Sequence, residues 1–184
     1  MIFLVYLYLI VFIIFDIFIL AVGIEQLLCA FRKIAPKVPS GRQLRVAVAE
    51  QIAIEMPDVK SIIDVGSGWG TMVRTVAKKF PNAKVYGIEF MPSAYVYSVV
   101  RGLFVWNAKL IFGNAFKYLE QTDKKFDVGI TYLLPSEMND VKKFMAKFKM
   151  LFVLDFPLPD VTPIKKIKLN KNALGQHWLY VYKS

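Results

Sequence analysis

The chain opens on a stretch, residues 1–24, in which only Asp16 and Gly23 fall outside the hydrophobic set. Such a run has no polar face. As a helix it rises about 35 Å, enough to cross a hydrocarbon core of about 30 Å with some tilt. It predicts one transmembrane helix over residues 1–24. The pattern then changes. Residues 25–39 read as a juxtamembrane linker ending in Pro39, with Ser40 as N-cap of a helix over Gly41 to Met56. Beyond it, short β-branched runs at Ser61 to Val65, Lys84 to Phe90, Lys109 to Phe112, Phe126 to Tyr132 and Lys149 to Asp155 are separated by helical periods. One such period puts Met72, Val73, Val76, Ala77 and Phe80 on a single face. Strand and helix in alternation predict a mostly parallel sheet covered on both sides. Ile164 to Leu169 and His177 to Tyr182, joined by the turn-prone Asn170 to Gly175, predict an antiparallel hairpin at one edge, making seven strands within residues 40–184.

Charge is distributed as unevenly as hydropathy. Asp16 is the only charged residue in the first segment, so the remainder holds all 24 Lys and Arg against 13 acids. Arg32, Lys33, Lys37, Arg42 and Arg45 crowd the C-terminal flank of the apolar run, and only the amino terminus precedes it. The positive-inside rule then places the following domain in the cytoplasm, at a bacterial or archaeal plasma membrane, or equivalently on the matrix side of the mitochondrial inner membrane. A cleaved signal peptide is the competing reading, but the run lacks a basic n-region and a small-x-small site, and it is too long. Asp16 inside the run has two readings, a functional intramembrane acid or a snorkelling one. One Cys excludes a disulfide framework and a multi-thiolate metal site, and a single His leaves histidine-based zinc chemistry without partners, so no metal is expected.

Chemistry concentrates where the first strand stops, at Asp64-Val65-Gly66-Ser67-Gly68-Trp69-Gly70. Glycines there permit close backbone approach to a ligand. The spacing is not the G-x-G-x-x-G of dinucleotide binders, and no phosphate-binding loop with its lysine occurs. Asp64 would repel a pyrophosphate but suits a ligand carrying an ammonium and a sulfonium. Glu89, at the end of the second strand, is placed to accept from both hydroxyls of a ribose. Together these residues read as a site for S-adenosylmethionine.

They resemble the class I S-adenosylmethionine-dependent methyltransferases. Within that class the chain is similar to the membrane-anchored lysine N-methyltransferases that act on the ATP synthase c subunit and the adenine nucleotide translocase. The resemblance runs from Val38-Pro39-Ser40 through the glycine loop and Gly87-Ile88-Glu89, with Pro92, Tyr97, Ser98 and Arg101, to Phe156-Pro157-Leu158-Pro159, Thr162-Pro163 and a closing strand with Trp178 and Tyr180. It implies a Rossmann-like α/β fold of the seven-stranded methyltransferase type. It also implies a cofactor site of Asp64, Gly66, Ser67, Gly68, Trp69, Gly70, Glu89, Phe90, Asn114 and Ala115. Three positions depart from the family pattern: Lys37 replaces an aromatic, Trp69 an acid, and Asn114 an Asp that contacts the adenine amino group.

For the acceptor, Tyr132, Leu134 and Pro135 just past the fourth strand and Asp155 after the fifth lie beyond the carboxyl ends of strands, where open α/β sheets bind ligands. Packing is the competing role for Tyr132, and a turn or helix cap for Asp155. Trp106 and Trp178 are read as core, and His177 as an edge-strand residue. Basic clusters at Lys142, Lys143, Lys147 and Lys149 and at Lys165, Lys166, Lys168 and Lys171 read as solvated surface that would also be drawn to anionic headgroups. Nucleic acid is not expected, since no recognition motif accompanies them. The expected partners are the lipid bilayer and an integral membrane protein bearing a lysine at headgroup level. A linker over residues 25–39 confines the domain to within about 50 Å of the bilayer.

Overall fold

The computed structural model describes residues 2–31, 40–169 and 175–184. Its contacts divide the chain into two units, Met1–Pro36 and Lys37–Ser184. The first contains helix α1, Ile2–Phe31. The part over Ile2–Glu25 is long and apolar enough to cross a membrane. Asp16 is exposed on it.

The second unit follows the predicted alternation. Its elements are α2 (Arg42–Glu55), β1 (Ser61–Val65), α3 (Thr71–Lys79), β2 (Lys84–Glu89), α4 (Pro92–Gly102), β3 (Ala108–Phe112), α5 (Ala115–Gln121), β4 (Phe126–Thr131), α6 (Met138–Lys143), β5 (Phe148–Leu154), β6 (Lys165–Lys168) and β7 (Trp178–Lys183). They build a seven-stranded sheet in the order β3-β2-β1-β4-β5-β7-β6. Strands β1 to β5 are parallel, and β7 runs antiparallel to both β5 and β6. The expected hairpin is present, but β7 is inserted between β5 and β6, so its first strand forms the edge. This is the Rossmann-like methyltransferase architecture expected from the sequence.

Period-two alternation decides which face each residue serves. On β5, Met150, Phe152 and Leu154 join one core with α2 and α3, while Leu151 and Val153 join the other. Strand β7 splits likewise, Leu179 and Val181 to the first core and Tyr180 and Tyr182 to the second. Met72, Val73, Val76 and Ala77 of α3 are buried as one stripe, the face read from the sequence.

Three expectations are corrected. Ser40 does not cap α2: Gly41 occupies that position without a side-chain bond, and the Ser40 hydroxyl instead lies 3.4 Å from that of Thr71. Trp106 is not core but 95% exposed. His177 is not an edge-strand residue, because it leads into the interior strand β7 and is only 4% exposed. Lys37, Val38 and Pro39, the basic flank at Arg32 and Lys33, and residues 170–174 of the expected turn, Lys171 among them, lie outside the described residues.

Candidate active site

The carboxyl end of β1 delivers a buried acid, Asp64, into a loop that the backbone can follow only with glycine. Gly66, Gly68 and Gly70 take φ of 79°, 53° and 66°. Left-handed backbone costs other L-residues roughly 1–2 kcal/mol each. Space forbids a side chain as well. A Cβ on Gly66 would sit 2.6 Å from Leu133 Cδ2, and one on Gly70 would sit 2.7 Å from Ser98 Cβ. Gly70 N–H donates to Ser67 O at 3.0 Å and Ser67 N–H to Ile88 O at 2.9 Å, which fastens the loop to β2.

Glu89, 1% exposed at the end of β2, braces the same loop. Its Oε2 accepts from Gly68 N–H at 2.7 Å and its Oε1 from Met91 N–H at 2.8 Å. Gly113 N–H donates to the Glu89 carbonyl at 2.9 Å, bringing the end of β3 alongside. There Asn114 caps α5, its Oδ1 accepting from Phe116 N–H at 2.9 Å and Lys117 N–H at 3.1 Å, and Ala115 begins the helix. Asn serves this position as well as Asp does, so the substitution keeps the cap. Phe90 is exposed beyond β2. The Trp69 ring meets Tyr97 edge-on at 5.2 Å. The predicted cofactor residues are therefore gathered at one end of the sheet, on β1, β2 and the turns after β1, β2 and β3.

One buried polar atom there is left over. Ser67 Oγ is the one fully buried side-chain oxygen or nitrogen among the described residues that has no hydrogen-bond partner. Such a group costs about 1–3 kcal/mol unless a ligand or water satisfies it. With two buried acids and a glycine cradle around it, the site has the chemistry to take a cationic ligand bearing hydroxyls. Residues 58–168, well over half the chain, match the methyltransferase domain family. The chain belongs to that family.

Relatives agree on the domain and differ in what they are named for. N-methyltransferase 4 of Papaver somniferum is 26% identical over 95 residues, covering 50% of this chain but only 27% of that protein. This chain thus spans about a quarter of that relative's length. Among solved structures, an RNA methyltransferase from Salinibacter ruber in complex with S-adenosyl-L-homocysteine superposes with a TM-score of 0.59 at 20% identity, covering 79% of this chain and 93% of that one. Precorrin-6y C5,15-methyltransferase from Geobacter metallireducens gives a TM-score of 0.65 at 12% identity, over 82% and 93%. These likenesses establish the fold. The S-adenosyl-L-homocysteine held by the Salinibacter ruber enzyme is the product form of S-adenosylmethionine.

At the carboxyl ends of β4 and β5, the structure joins two predicted residues and adds a third. Asp155 follows β5 directly with a left-handed φ of 63°, and its N–H donates to Trp178 O at 2.8 Å. Its Oδ1 accepts from Trp178 N–H at 3.0 Å, and its Oδ2 lies 2.8 Å from His177 Nδ1. The Tyr132 phenol lies near enough to the same carboxylate to feel its charge, and its ring stands edge-on to His177 at 6.4 Å. Burial, and then Asp155, raise the Tyr132 phenol above its ordinary value, so it stays protonated. Asp155 is thus neither a helix cap nor a plain turn residue but a hub between β5 and β7. Leu134 and Pro135 act through backbone: Leu134 N–H donates to Glu137 Oε2 at 3.1 Å, and Pro135 opens a 3-10 turn.

Sequence reasoning missed two further features. His177 lies 22 residues from Asp155 and meets it only because β5 and β7 pair with Leu154 opposite Leu179. Arg45, counted in the basic flank and within the expected helix, lies in α2 and reaches α3, where its Nε donates to Thr75 Oγ1 at 3.2 Å. Arg74 Nη1 lies 3.4 Å from Trp69 O on the glycine loop. Burial first, and then neighbouring guanidiniums, hold both arginines below their ordinary value: Arg74 and Arg42 act on Arg45, and Arg101 acts on Arg74. A positive field therefore borders the loop.

The Phe156-Pro157-Leu158-Pro159 segment is pinned from beneath, the buried Leu158 N–H donating to Tyr182 Oη at 2.8 Å. Replacing Tyr182 with Phe would strand that N–H. We expect a loss of about 1–3 kcal/mol, read as a lower denaturant midpoint in detergent. An unchanged midpoint would mean that the segment is held by other contacts.

Proposed function

We propose that this protein is a membrane-anchored, S-adenosylmethionine-dependent protein-lysine N-methyltransferase acting on an integral membrane protein. The observation that carries this reading is the half-buried Asp155 carboxylate, held between the buried His177 and the more open Tyr132 at the carboxyl end of the sheet. A fixed anion there favours an acceptor that arrives as an ammonium over one that arrives as a phosphate. The apolar length of α1 and the resemblance to the c-subunit and translocase enzymes support the membrane-protein substrate.

On this reading Asp64 faces the cationic part of the cofactor, Glu89 accepts from its ribose hydroxyls, and Ser67 Oγ finds the partner it lacks in the chain. The Glu89 oxygens already hold Gly68 and Met91, and each carboxylate oxygen accepts more than one bond. Arg45 and Arg74 offset the cofactor's carboxylate. Bound S-adenosylmethionine supplies an electrophilic methyl group on a sulfonium. The chain's own part is to bind, orient and dehydrate. The lysine must lose a proton before its lone pair can attack, and leaving water favours the neutral amine. Tyr132, kept as a phenol, donates to Asp155 and presents its oxygen to an amine N–H. Asp155 positions that phenol, and His177 positions Asp155.

Membranes lacking the protein, incubated with it and methyl-labelled S-adenosylmethionine, test the reading. We expect label in one membrane protein, released as methyl-lysine on hydrolysis. Label extracted wholly into lipid would assign the acceptor to a lipid or another small membrane-soluble molecule, and no transfer with cofactor bound would indicate a scaffold. A chain beginning at Lys37 should keep cofactor affinity and lose most activity on native membranes, because the effective concentration set by the anchor is gone.

A further inference from the structure

Helix α4 is built inside out. It buries Ser93, Ala94 and Ser98 and exposes Val96 and Val100, and the stripe continues at i+7 and beyond with Leu103 and Phe104. Phe104 and Trp106 are 85% and 95% exposed. The inward choice has a cause at the site, where Ser98 must be small because Gly70 packs on it. Nothing among the described residues covers the outward stripe.

The segment is also held in place. Val105 packs into the core, and the Asn107 side-chain amide lies 3.0, 2.9 and 2.9 Å from the carbonyls of Ala77, Phe80 and Ala83. Trp106 is thus presented from an anchored turn. Residues 90–119 include Arg101, Lys109 and Lys117 and no acid. The lysine clusters that the sequence offered for the headgroups are, by contrast, largely engaged within the domain. Lys149 pairs with Asp127 at 2.7 Å, Lys143 with Asp140 at 2.7 Å and Lys142 with Asp160 at 3.6 Å, while Lys165 pairs with Glu55. Lys166 lies over the Trp178 ring at 4.5 Å.

We infer that the α4 stripe with Phe104 and Trp106 is a second membrane-binding element, which seats the methyltransferase domain on the interface of an anionic bilayer. The inference rests on the reading of α1 as an anchor. Trp and Phe are suited to the water–hydrocarbon boundary, with arginine and lysine beside them meeting anionic headgroups. A second copy of the chain fits less well, since a self-paired patch would set its unneutralised cations against one another. The consequence for function is positional. Tyr97, on the same helix, touches Trp69 of the glycine loop, so docking through α4 sets the site's distance from the bilayer.

The test uses the full chain in vesicles of phosphatidylcholine and phosphatidylglycerol. A nitroxide is placed at Phe104→Cys in a Cys29→Ser background, and power saturation compares access of oxygen with access of a water-soluble nickel chelate. We expect oxygen access at position 104 to exceed nickel access several-fold over a control label at Lys125→Cys, and Arg101→Glu to reduce the excess. A label at Ile10→Cys reports the anchor separately. Nickel-accessible 104 with lipid-buried 10 would overturn the docking surface and leave the anchor standing. Both labels in water would overturn both. A label at 104 shielded from both reagents, in vesicles and in detergent alike, would mean that protein covers the stripe and would also overturn the inference.

Discussion

Glu89→Gln is expected to raise the dissociation constant for S-adenosylmethionine on the order of 100-fold, measured by calorimetry on folded protein. The amide keeps the shape and loses an acceptor. In the native site Oε2 and Oε1 each take a backbone N–H, from Gly68 and Met91. A glutamine must turn its NH2 toward one of them, which leaves a buried donor facing a donor and the glycine loop without its brace. One unsatisfied buried group costs about 1–3 kcal/mol, and a charge-assisted bond to the ribose lost in the same substitution adds a comparable amount. At about 1.4 kcal/mol per tenfold, two such losses bracket the predicted factor. Unchanged affinity would remove Glu89 from the cofactor site. A global loss of stability would instead restrict its role to bracing, a distinction that the unfolding midpoint of the same variant makes.

What the sequence disclosed depended on whether the signal was local. Strand β1 with its following loop could be read because Asp64, the three glycines and the start of α3 are consecutive, and their conformational demands are properties of residue type. The stripe Met72, Val73, Val76 and Ala77 was equally legible, since one helix face suffices to show it. Residues brought together by pairing order were not. That β7 inserts between β5 and β6 cannot be read from either strand's own residues, yet it alone sets His177 against Asp155. Trp106 was misread for a related reason. Apolar neighbours usually signal burial, but in α4 the buried positions are taken by Ser93, Ala94 and Ser98, and the larger side chains are left outside. The contact of Arg45 with Thr75 of α3 is invisible in the same way, since it spans 30 residues.

Asp155→Asn is expected to lower the rate of methyl transfer on the order of 100- to 1,000-fold while leaving cofactor affinity unchanged, within the range for loss of proton-handling and polar stabilisation at a reacting centre. Asparagine is the informative choice. It accepts a left-handed backbone nearly as well as aspartate, so the φ of 63° and the Asp155 N–H bond to Trp178 O should survive, whereas alanine would add strain to the lost carboxylate. The loss is electronic. Trp178 N–H and His177 Nδ1 meet the carboxylate and the Tyr132 phenol lies beside it, and an amide offers one acceptor oxygen and an NH2 in its place. On the proposed reading, the phenol is then released from the orientation in which its oxygen can meet the acceptor amine, and the negative charge that draws an ammonium is gone. Tyr132→Phe should reproduce part of the defect, about tenfold, and combining the two substitutions should cost less than the product of the single effects, because both act through one hydroxyl–carboxylate contact. Multiplicative losses, or an Asp155→Asn enzyme that transfers methyl at the native rate, would place the acceptor elsewhere on the carboxyl edge of the sheet.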